Sequence, residues 1–256
     1  GIAFLYKSFA LGLPVTLGLA AWYWHQRQYR VMECIKQDAL KVVVAISAAV
    51  AMFALWFALD PNPQAVWKEF VVGENVGKFD PHGASYLGKL LWGGSSIWSY
   101  TLAFLTNAGL LTFIVVALFV VAYKNRQQLS NDEKLLWLLV AAFFISFSLP
   151  SQRSGRYLLD VMPAMALLCA LNWQRINRKI FVATLLLAGL LLAGLTALAL
   201  RLQSEMNNAG LYSIGFWILC SATTILILLA IAKPDFTRPA TNVIALLLLL
   251  VFAAFL

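Results

Sequence analysis

The chain has 256 residues, of which 62% are hydrophobic and only 12% charged, and its mean hydropathy is +0.81. Soluble domains average about 45–50% apolar and about 25% charged residues. A soluble fold of this length has too small an interior to bury the excess, so the composition excludes a soluble globular domain. It predicts an all-α fold, a polytopic bundle of transmembrane helices, because helices satisfy their own backbone hydrogen bonds in lipid.

Apolar runs predict about eight spans within one transmembrane domain that covers residues 1–256. A span needs roughly 17–25 apolar residues to cross a hydrocarbon core of ~30 Å. The chain opens at Gly1 directly in an apolar run and stops at Leu256 in another, so we expect an internal fragment of a longer protein. The predicted spans are residues 2–24, 42–59, 98–123, 135–150, 157–173, 180–201, 211–232 and 240–256.

Positive charge alternates between the segments that join these spans, with twelve Lys and Arg residues on one side and six on the other. The positive-inside rule assigns the richer set to the cytoplasm, which predicts a multi-pass protein of the plasma (inner) membrane. Because the net charge of +8 is spread over short loops and not over one basic face, no nucleic-acid partner is expected. The richer set is 25–41, 124–134, 174–179 and 233–239; the poorer, external set is 60–90, 151–156 and 201–210.

The longest joining segment, at about 60–97, predicts an external loop that contains a short surface helix. Asn62 followed by Pro63 is typical of a helix start. Trp67 and Phe70 then fall on one face of the helix, which we expect to lie along the membrane surface.

An Arg-rich hairpin at about 150–157 carries Arg153, Arg156 and Tyr157 at the predicted outer surface. The planar guanidinium group suits phosphate oxygens, and partial desolvation strengthens the attraction. Positive charge outside the cytoplasm has no topological role, so we favour phosphate binding over simple snorkelling to lipid headgroups. Asp160 follows Arg156 by four residues, a spacing at which the two side chains can pair on an α-helix.

Other ionisable residues lie near the predicted outer surface. Lys7 is interpreted either as a point charge that binds phosphate or as an interfacial anchor. Glu74, Asp80 and His82 are of metal-ligand types, but their spacing matches no standard metal motif. A solvated loop is the alternative for Asp80 and His82, whereas glycines and aromatic residues surround Glu74. The sequence has no Gly-rich phosphate loop, HExxH or nucleophile elbow, and it identifies no cofactor.

Three short patterns give the chain a family resemblance. Residues 1–8, GIAFLYKS, are similar to G-[LI]-A-F-L-T-K-G; residues 74–79, ENVGKF, to E-[NH]-x-x-R-F; and residues 156–164, RYLLDVMPA, to R-Y-L-L-P-x-x-P-A. Their order and placement resemble the multi-spanning polyprenyl-phosphate-dependent glycosyltransferases, which include lipid A aminoarabinose transferases and protein O-mannosyltransferases. The resemblance covers roughly residues 1–175.

This resemblance implies transfer of a sugar from a polyprenyl-phosphate donor to a lipid or protein acceptor on the external, periplasmic side. It implies that Lys7 and Arg156, with Arg153, hold the donor phosphate and that Tyr157 packs against the sugar or phosphate. Glu74, with His82 as a further candidate, would order the acceptor or a divalent metal. The family's acidic base would lie upstream of Gly1, so no catalytic residue is expected within this chain, which we expect to be inactive by itself.

The chain also departs from the family's patterns. Tyr6 and Ser8 replace the usual Thr and Gly beside the lysine, and Lys78 replaces an arginine. Asp160 replaces a proline and places a carboxylate near the proposed phosphate site, where it would oppose the arginines.

Two functions of other classes remain open. A transporter or flippase for a lipid-linked or anionic solute would place charged or helix-breaking residues near the bilayer midplane, often in repeated halves. The predicted midplanes are nearly free of charge and no repeat is visible, so this is the second choice. A structural subunit of a membrane complex is the third.

Overall fold

The computed structural model describes residues 12–65, 67–68, 72–73, 86–92, 95–150, 153–208 and 210–256. In these ranges every regular element is helical, as predicted. The helices are α1 (Gly12–Gln26), α2 (Val31–Leu59), α3 (Ile97–Thr106), α4 (Thr112–Lys124), α5 (Asn131–Ser148), α6 (Met162–Asn172), α7 (Arg178–Glu205), α8 (Ile214–Ala232) and α9 (Pro234–Phe255). Shorter helical pieces are Pro63–Ala65 and Tyr86–Leu91, and 3-10 turns cover Gly109–Leu111 and Gly155–Val161.

Among the described residues, four helices, α2, α7, α8 and α9, are long and apolar enough to cross a membrane, and α3 with α4 make a fifth if the two form one broken span. This is compatible with an integral membrane protein, although the predicted number of about eight spans is not confirmed. Helix α5 has 18 residues, but its first turn is polar and contains Asp132, Glu133 and Lys134. Helix α6 has 11 residues and is too short to cross by itself.

Some helix boundaries differ from those predicted. Helix α2 begins at Val31, where a loop was expected up to residue 41. The first turns of this helix tolerate charged residues because the carboxylate of Asp38 is paired with two cations. Asp38 is only 5% exposed. Its carboxylate lies 3.0 Å from Lys41 Nζ and 3.4 Å from Arg27 Nε. Opposite charges therefore replace the water that a lone carboxylate would need.

Two predicted spans are divided. The span expected at 98–123 is broken between α3 and α4, where Gly109 has φ of +55°, a conformation that favours glycine. The span expected at 157–173 begins as a 3-10 turn, and its α-helix starts only at Met162. Pro163 is the second residue of that helix, where its missing N–H costs nothing; an α-helix continuing through it would lose a hydrogen bond and clash.

Several helix starts follow from local sequence. Ser130 and Glu133 form a capping box at α5: the Glu133 amide donates to Ser130 Oγ at 3.2 Å and the Ser130 amide to Glu133 Oε2 at 2.8 Å. Asn177 and Ser213 are simple N-caps of α7 and α8: the Asn177 side chain accepts from the Lys179 amide at 2.9 Å and the Ser213 side chain from the Phe216 amide at 3.2 Å. Asn62 accepts a hydrogen bond from the Ala65 amide, and the short α-helical piece Pro63–Ala65 begins directly after it. The longer surface helix along the membrane stays a prediction.

The chain divides into two compact units. Unit 1 comprises Gly1–Asn107 with Gln127–Leu168, and unit 2 comprises Ala108–Arg126 with Cys169–Leu256. In unit 1, α1 packs along α5. Gly18 permits this approach, because a Cβ there would lie 2.7 Å from a Leu139 methyl group. Small residues commonly allow such close packing of membrane helices.

Unit 2 is built around α7, α8 and α9, which pack against one another. The buried positions recur every three or four residues, as expected for helices that pack side by side. Alanine recurs at the contacts and lets the helix backbones approach closely. The buried core consists of Leu185, Ala188, Leu192, Ala199, Phe216, Cys220, Ile227, Ala230, Ala240, Ile244 and Val251.

Candidate functional site

The predicted Arg-rich hairpin lies in unit 1, between α5 and α6. Helix α5 ends at Ser148, residues 153 and 154 are extended, and the 3-10 turn Gly155–Val161 leads into α6. A 3-10 turn repeats every three residues, so residues i and i+3 share a face. Leu158 and Val161 share that face and are fully buried, which fixes the turn against the protein.

Arg153 is part of the hairpin's internal framework. It is 8% exposed, and its guanidinium donates from Nε to the Ser148 carbonyl at 2.6 Å and from Nη1 to the Ser95 carbonyl at 2.9 Å. Nη2 makes a longer contact of 3.4 Å with the hydroxyl of Tyr86, which itself donates to the Leu149 carbonyl at 2.6 Å. Arginine is suited to this task because it offers five donors in one fixed plane.

The 3-10 turn is also tied to α3. The Asn107 side-chain amide donates to the Gly155 carbonyl at 2.8 Å. A Cβ at Gly155 would lie 2.5 Å from the Cβ of Ala103, so a side chain at this position requires the backbone to move. A hydrogen bond and a close backbone contact therefore set the position of the residues that follow Gly155.

Arg156 is exposed on this turn, and its guanidinium lies 5.5 Å from the centre of the Tyr157 ring. Tyr157 in turn stacks on Phe147 of α5, with ring centres 5.3 Å apart and planes 15° from parallel. The aromatic pair supports the cation, as in other cation–π contacts. Arg156 thus presents a guanidinium outward beside a fixed aromatic surface.

The possible pairing of Arg156 with Asp160 is not found, since among the described residues these two form no ion pair. The reason is the local helix type. Residues four apart lie on one side of an α-helix, but in a 3-10 turn they are about 120° apart. Asp160 is exposed and does not occupy the outward face of Arg156 in this structure.

The hairpin therefore divides the predicted site residues by role. Arg153 is engaged by backbone carbonyls, whereas Arg156 is exposed beside the half-buried ring of Tyr157. The other predicted site residues, Lys7, Glu74 and His82, lie outside the described residues, as does Asp80. Within the described ranges, no group of three or more His, Cys, Asp or Glu side chains could hold a metal ion.

Two contacts that position the hairpin, those made by Tyr86 and Asn107, were not predicted from the sequence. Tyr86 lies 67 residues from Arg153 along the chain, and Asn107 lies 48 residues from Gly155. No local pattern connects positions so far apart. A polar residue inside an apolar run, such as Asn107, does signal a need for a partner, because an unpaired amide in lipid is costly.

Arg156 and Tyr157 have side chains of a type that suits an anion, but neither is suited to removing a proton from an acceptor. A guanidinium stays protonated and a neutral phenol is a weak base, so neither acts as a general base near pH 7. The chemistry available to Arg156 and Tyr157 is charge-assisted hydrogen bonding to phosphate oxygens and packing against an apolar or sugar face.

No known protein-family model, curated protein or solved structure matches this chain significantly.

Proposed function

We propose that this chain is the membrane domain of a glycosyltransferase that moves a sugar from a polyprenyl-phosphate donor to a lipid or protein acceptor. The observation that carries the proposal is the exposed guanidinium of Arg156 beside the stacked ring of Tyr157. A donor of this class has an anionic phosphate next to a sugar and an apolar chain. A cation beside an aromatic face at the end of an apolar helix bundle matches those three parts.

The role of Arg153 in this proposal is to hold the hairpin in place. Its contacts with the carbonyls of Ser95 and Ser148 keep the turn that carries Arg156 attached to α5 and to the start of α3. A preorganised cation stabilises a leaving phosphate without a reorganisation cost during the reaction. Lys7 would add a second cation to the phosphate, and Glu74 and His82 would contact the acceptor or a divalent metal.

The proposal includes a specific placement in the membrane. The chain would cross the inner membrane about eight times, with the hairpin on the external, periplasmic side, as the distribution of Lys and Arg favours. The catalytic base would be supplied by a segment outside this sequence. The shorter helices α5 and α6 would complete two of the crossings together with the residues that flank them.

Binding of a polyprenyl monophosphate to the purified chain in detergent tests the phosphate site. Arg156→Ala is expected to weaken binding roughly tenfold or more, since a hydrogen bond to a charged group contributes about 1.5–3 kcal/mol. The matched control is Arg201→Ala, because Arg201 is also exposed but pairs with Glu205 at 2.8 Å. Equal affinities of wild type and Arg156→Ala would contradict the proposed site. Sugar transfer is then measured with the complete reading frame.

A second candidate is a transporter or flippase for a lipid-linked or anionic solute. The break between α3 and α4, with Gly109 at φ of +55°, favours it, because discontinuous helices are common at transporter binding sites. Proteoliposomes separate the two functions. Movement of a fluorescent polyprenyl-phosphate lipid between leaflets, without sugar transfer by the complete protein, would favour the transporter.

A further inference from the structure

One end of unit 2 brings together cations from two segments that are far apart in sequence. Arg178 and Lys179 begin α7, whereas Lys233 and Arg238 flank the start of α9. The two segments are joined directly, since Arg178 donates from Nη2 to the Ile231 carbonyl at 2.6 Å. We refer to Arg178, Lys179, Lys233 and Arg238 as the basic end of unit 2.

The two arginines of the basic end are fixed by contacts with neutral groups. Arg178 Nε donates to Thr237 Oγ1 at 3.0 Å, and Arg238 Nη2 donates to the Ile176 carbonyl at 3.0 Å. The Arg238 guanidinium also lies 5.7 Å from the centre of the Phe181 ring. Carbonyls, a hydroxyl and a ring orient these groups without cancelling their charge.

The charge of the basic end is not neutralised by carboxylates. Among the described residues none of its four cations forms an ion pair, although Asp235 lies in the first turn of α9. Lys179 and Lys233 are exposed, and their ammonium groups have no hydrogen-bond partner in the described part of the chain. By contrast, Arg201, in the last turns of α7, is paired with Glu205.

Further observations indicate that an anion would be stabilised at this end. Arg238 Nε is buried and has no partner in the described residues, so this guanidinium keeps unused hydrogen-bonding capacity. Helix α7 also begins with two cations and has no acidic residue in its first turn. The start of a helix carries a partial positive charge, so two cations at this position are destabilising unless a negative charge lies nearby.

The position of the basic end identifies the source of that negative charge. Helices α7, α8 and α9 are each long and apolar enough to cross a membrane, and the ends of helices that cross are expected at the level of the lipid headgroups. Trp173, whose ring packs on Phe181 with centres 4.7 Å apart, is of the type that favours this interface. Basic pockets between membrane helices are known to bind phosphate headgroups of anionic lipids.

We propose that the basic end of unit 2 binds the headgroup phosphate of an anionic phospholipid. Lys179 and Lys233 contact the phosphate from the aqueous side, while Arg178 and Arg238 provide a fixed positive field beneath it. The acyl chains lie along the apolar surface of the helix bundle. This site does not depend on the proposed glycosyltransferase activity.

The test compares binding of phosphatidylglycerol and phosphatidylcholine to the full chain in detergent by native mass spectrometry. We expect wild type to prefer phosphatidylglycerol and the double variant Lys179→Gln/Lys233→Gln to bind it roughly thirtyfold more weakly, about fivefold per lysine. The matched control Arg201→Gln should keep the wild-type preference. A melting temperature of the double variant equal to that of wild type in phosphatidylcholine would show that the loss is not due to unfolding.

Two outcomes would overturn the proposal. One is an unchanged preference for phosphatidylglycerol in the double variant, which would mean that these lysines do not contact the lipid. The other is competition by millimolar inorganic phosphate as effective as that by phosphatidylglycerol, which would identify a site for a soluble anion.

Discussion

Arg153 donates a hydrogen bond from Nη1 to the carbonyl oxygen of Ser95, across 58 residues of sequence, at a distance of 2.9 Å. Through this contact and the bond to the Ser148 carbonyl, a single side chain joins the start of α3 to the end of α5. The neighbouring Arg156 is exposed and makes no comparable contact with the backbone among the described residues. Two arginines three residues apart in one hairpin therefore have different tasks.

This difference predicts that the same substitution has a large effect on stability at Arg153 and a small one at Arg156. Arg153→Lys should lower the free energy of unfolding by about 2–3 kcal/mol, because one ammonium group cannot reach both carbonyls and its own buried charge loses hydrogen bonds. Arg156→Lys should change it by less than about 0.5 kcal/mol, as is usual for exposed positions. Denaturant titration in detergent, followed by tryptophan fluorescence, measures both. Equal losses in the two variants would contradict the assigned framework role of Arg153.

The contact between Gly155 and Ala103 predicts a pair of compensating substitutions. Gly155→Ala should destabilise the protein by about 1–3 kcal/mol, because the new Cβ would lie 2.5 Å from that of Ala103. Adding Ala103→Gly should recover part of the loss, since it removes the atom that clashes. Gly194→Ala is the control: a Cβ there meets nothing within 4 Å, so it should leave stability unchanged or raise it slightly. If the stability loss of the double variant equals the sum of the losses of Gly155→Ala and Ala103→Gly, the clash is ruled out.

Thr237 is expected to be important for the packing of unit 2. It is fully buried, accepts a hydrogen bond from Arg178 Nε at 3.0 Å and donates to the Ala230 carbonyl at 2.8 Å. Thr237→Val keeps the shape but removes both bonds, which should cost about 1–3 kcal/mol. Thr196→Val, which removes only bonds within its own helix, is the control and should cost less than half as much. The melting temperatures of the two variants in the same detergent provide the comparison.

The predicted orientation can be tested by labelling with a membrane-impermeant maleimide. The native cysteines Cys34, Cys169 and Cys220 are free thiols and are first replaced by serine. On intact cells, Ser154→Cys should then react from outside, whereas Ser130→Cys should react only after permeabilisation, because the positive-inside rule predicts that the segments rich in Lys and Arg are cytoplasmic. The reverse pattern would place the hairpin in the cytoplasm and contradict the proposed external site.

Much of the secondary structure follows from the sequence alone, because its causes are local. Leucine- and alanine-rich runs can satisfy their backbone groups in lipid only as helices, and Ser130, Asn177 and Ser213 mark helix starts through bonds to amides two or three residues away. The charge pattern that predicts the orientation is likewise a property of the linear chain. The start of α2 was predicted too late because a neutralised carboxylate, Asp38, resembles a loop residue in sequence.

The sequence by itself determined which residue types lie in the hairpin, and the tertiary structure decided what each of them does. Arg153 and Arg156 are chemically identical, and only the position of Ser95 and Tyr86, more than 50 residues away, engages one of them and leaves the other exposed. The basic end of unit 2 arises in the same way, because Arg178 reaches Ile231 and Thr237, and Arg238 reaches Ile176, only when α7, α8 and α9 pack. Hydrogen bonds act over about 3 Å, so their partners are set by which backbone segments the fold brings together and not by order along the chain.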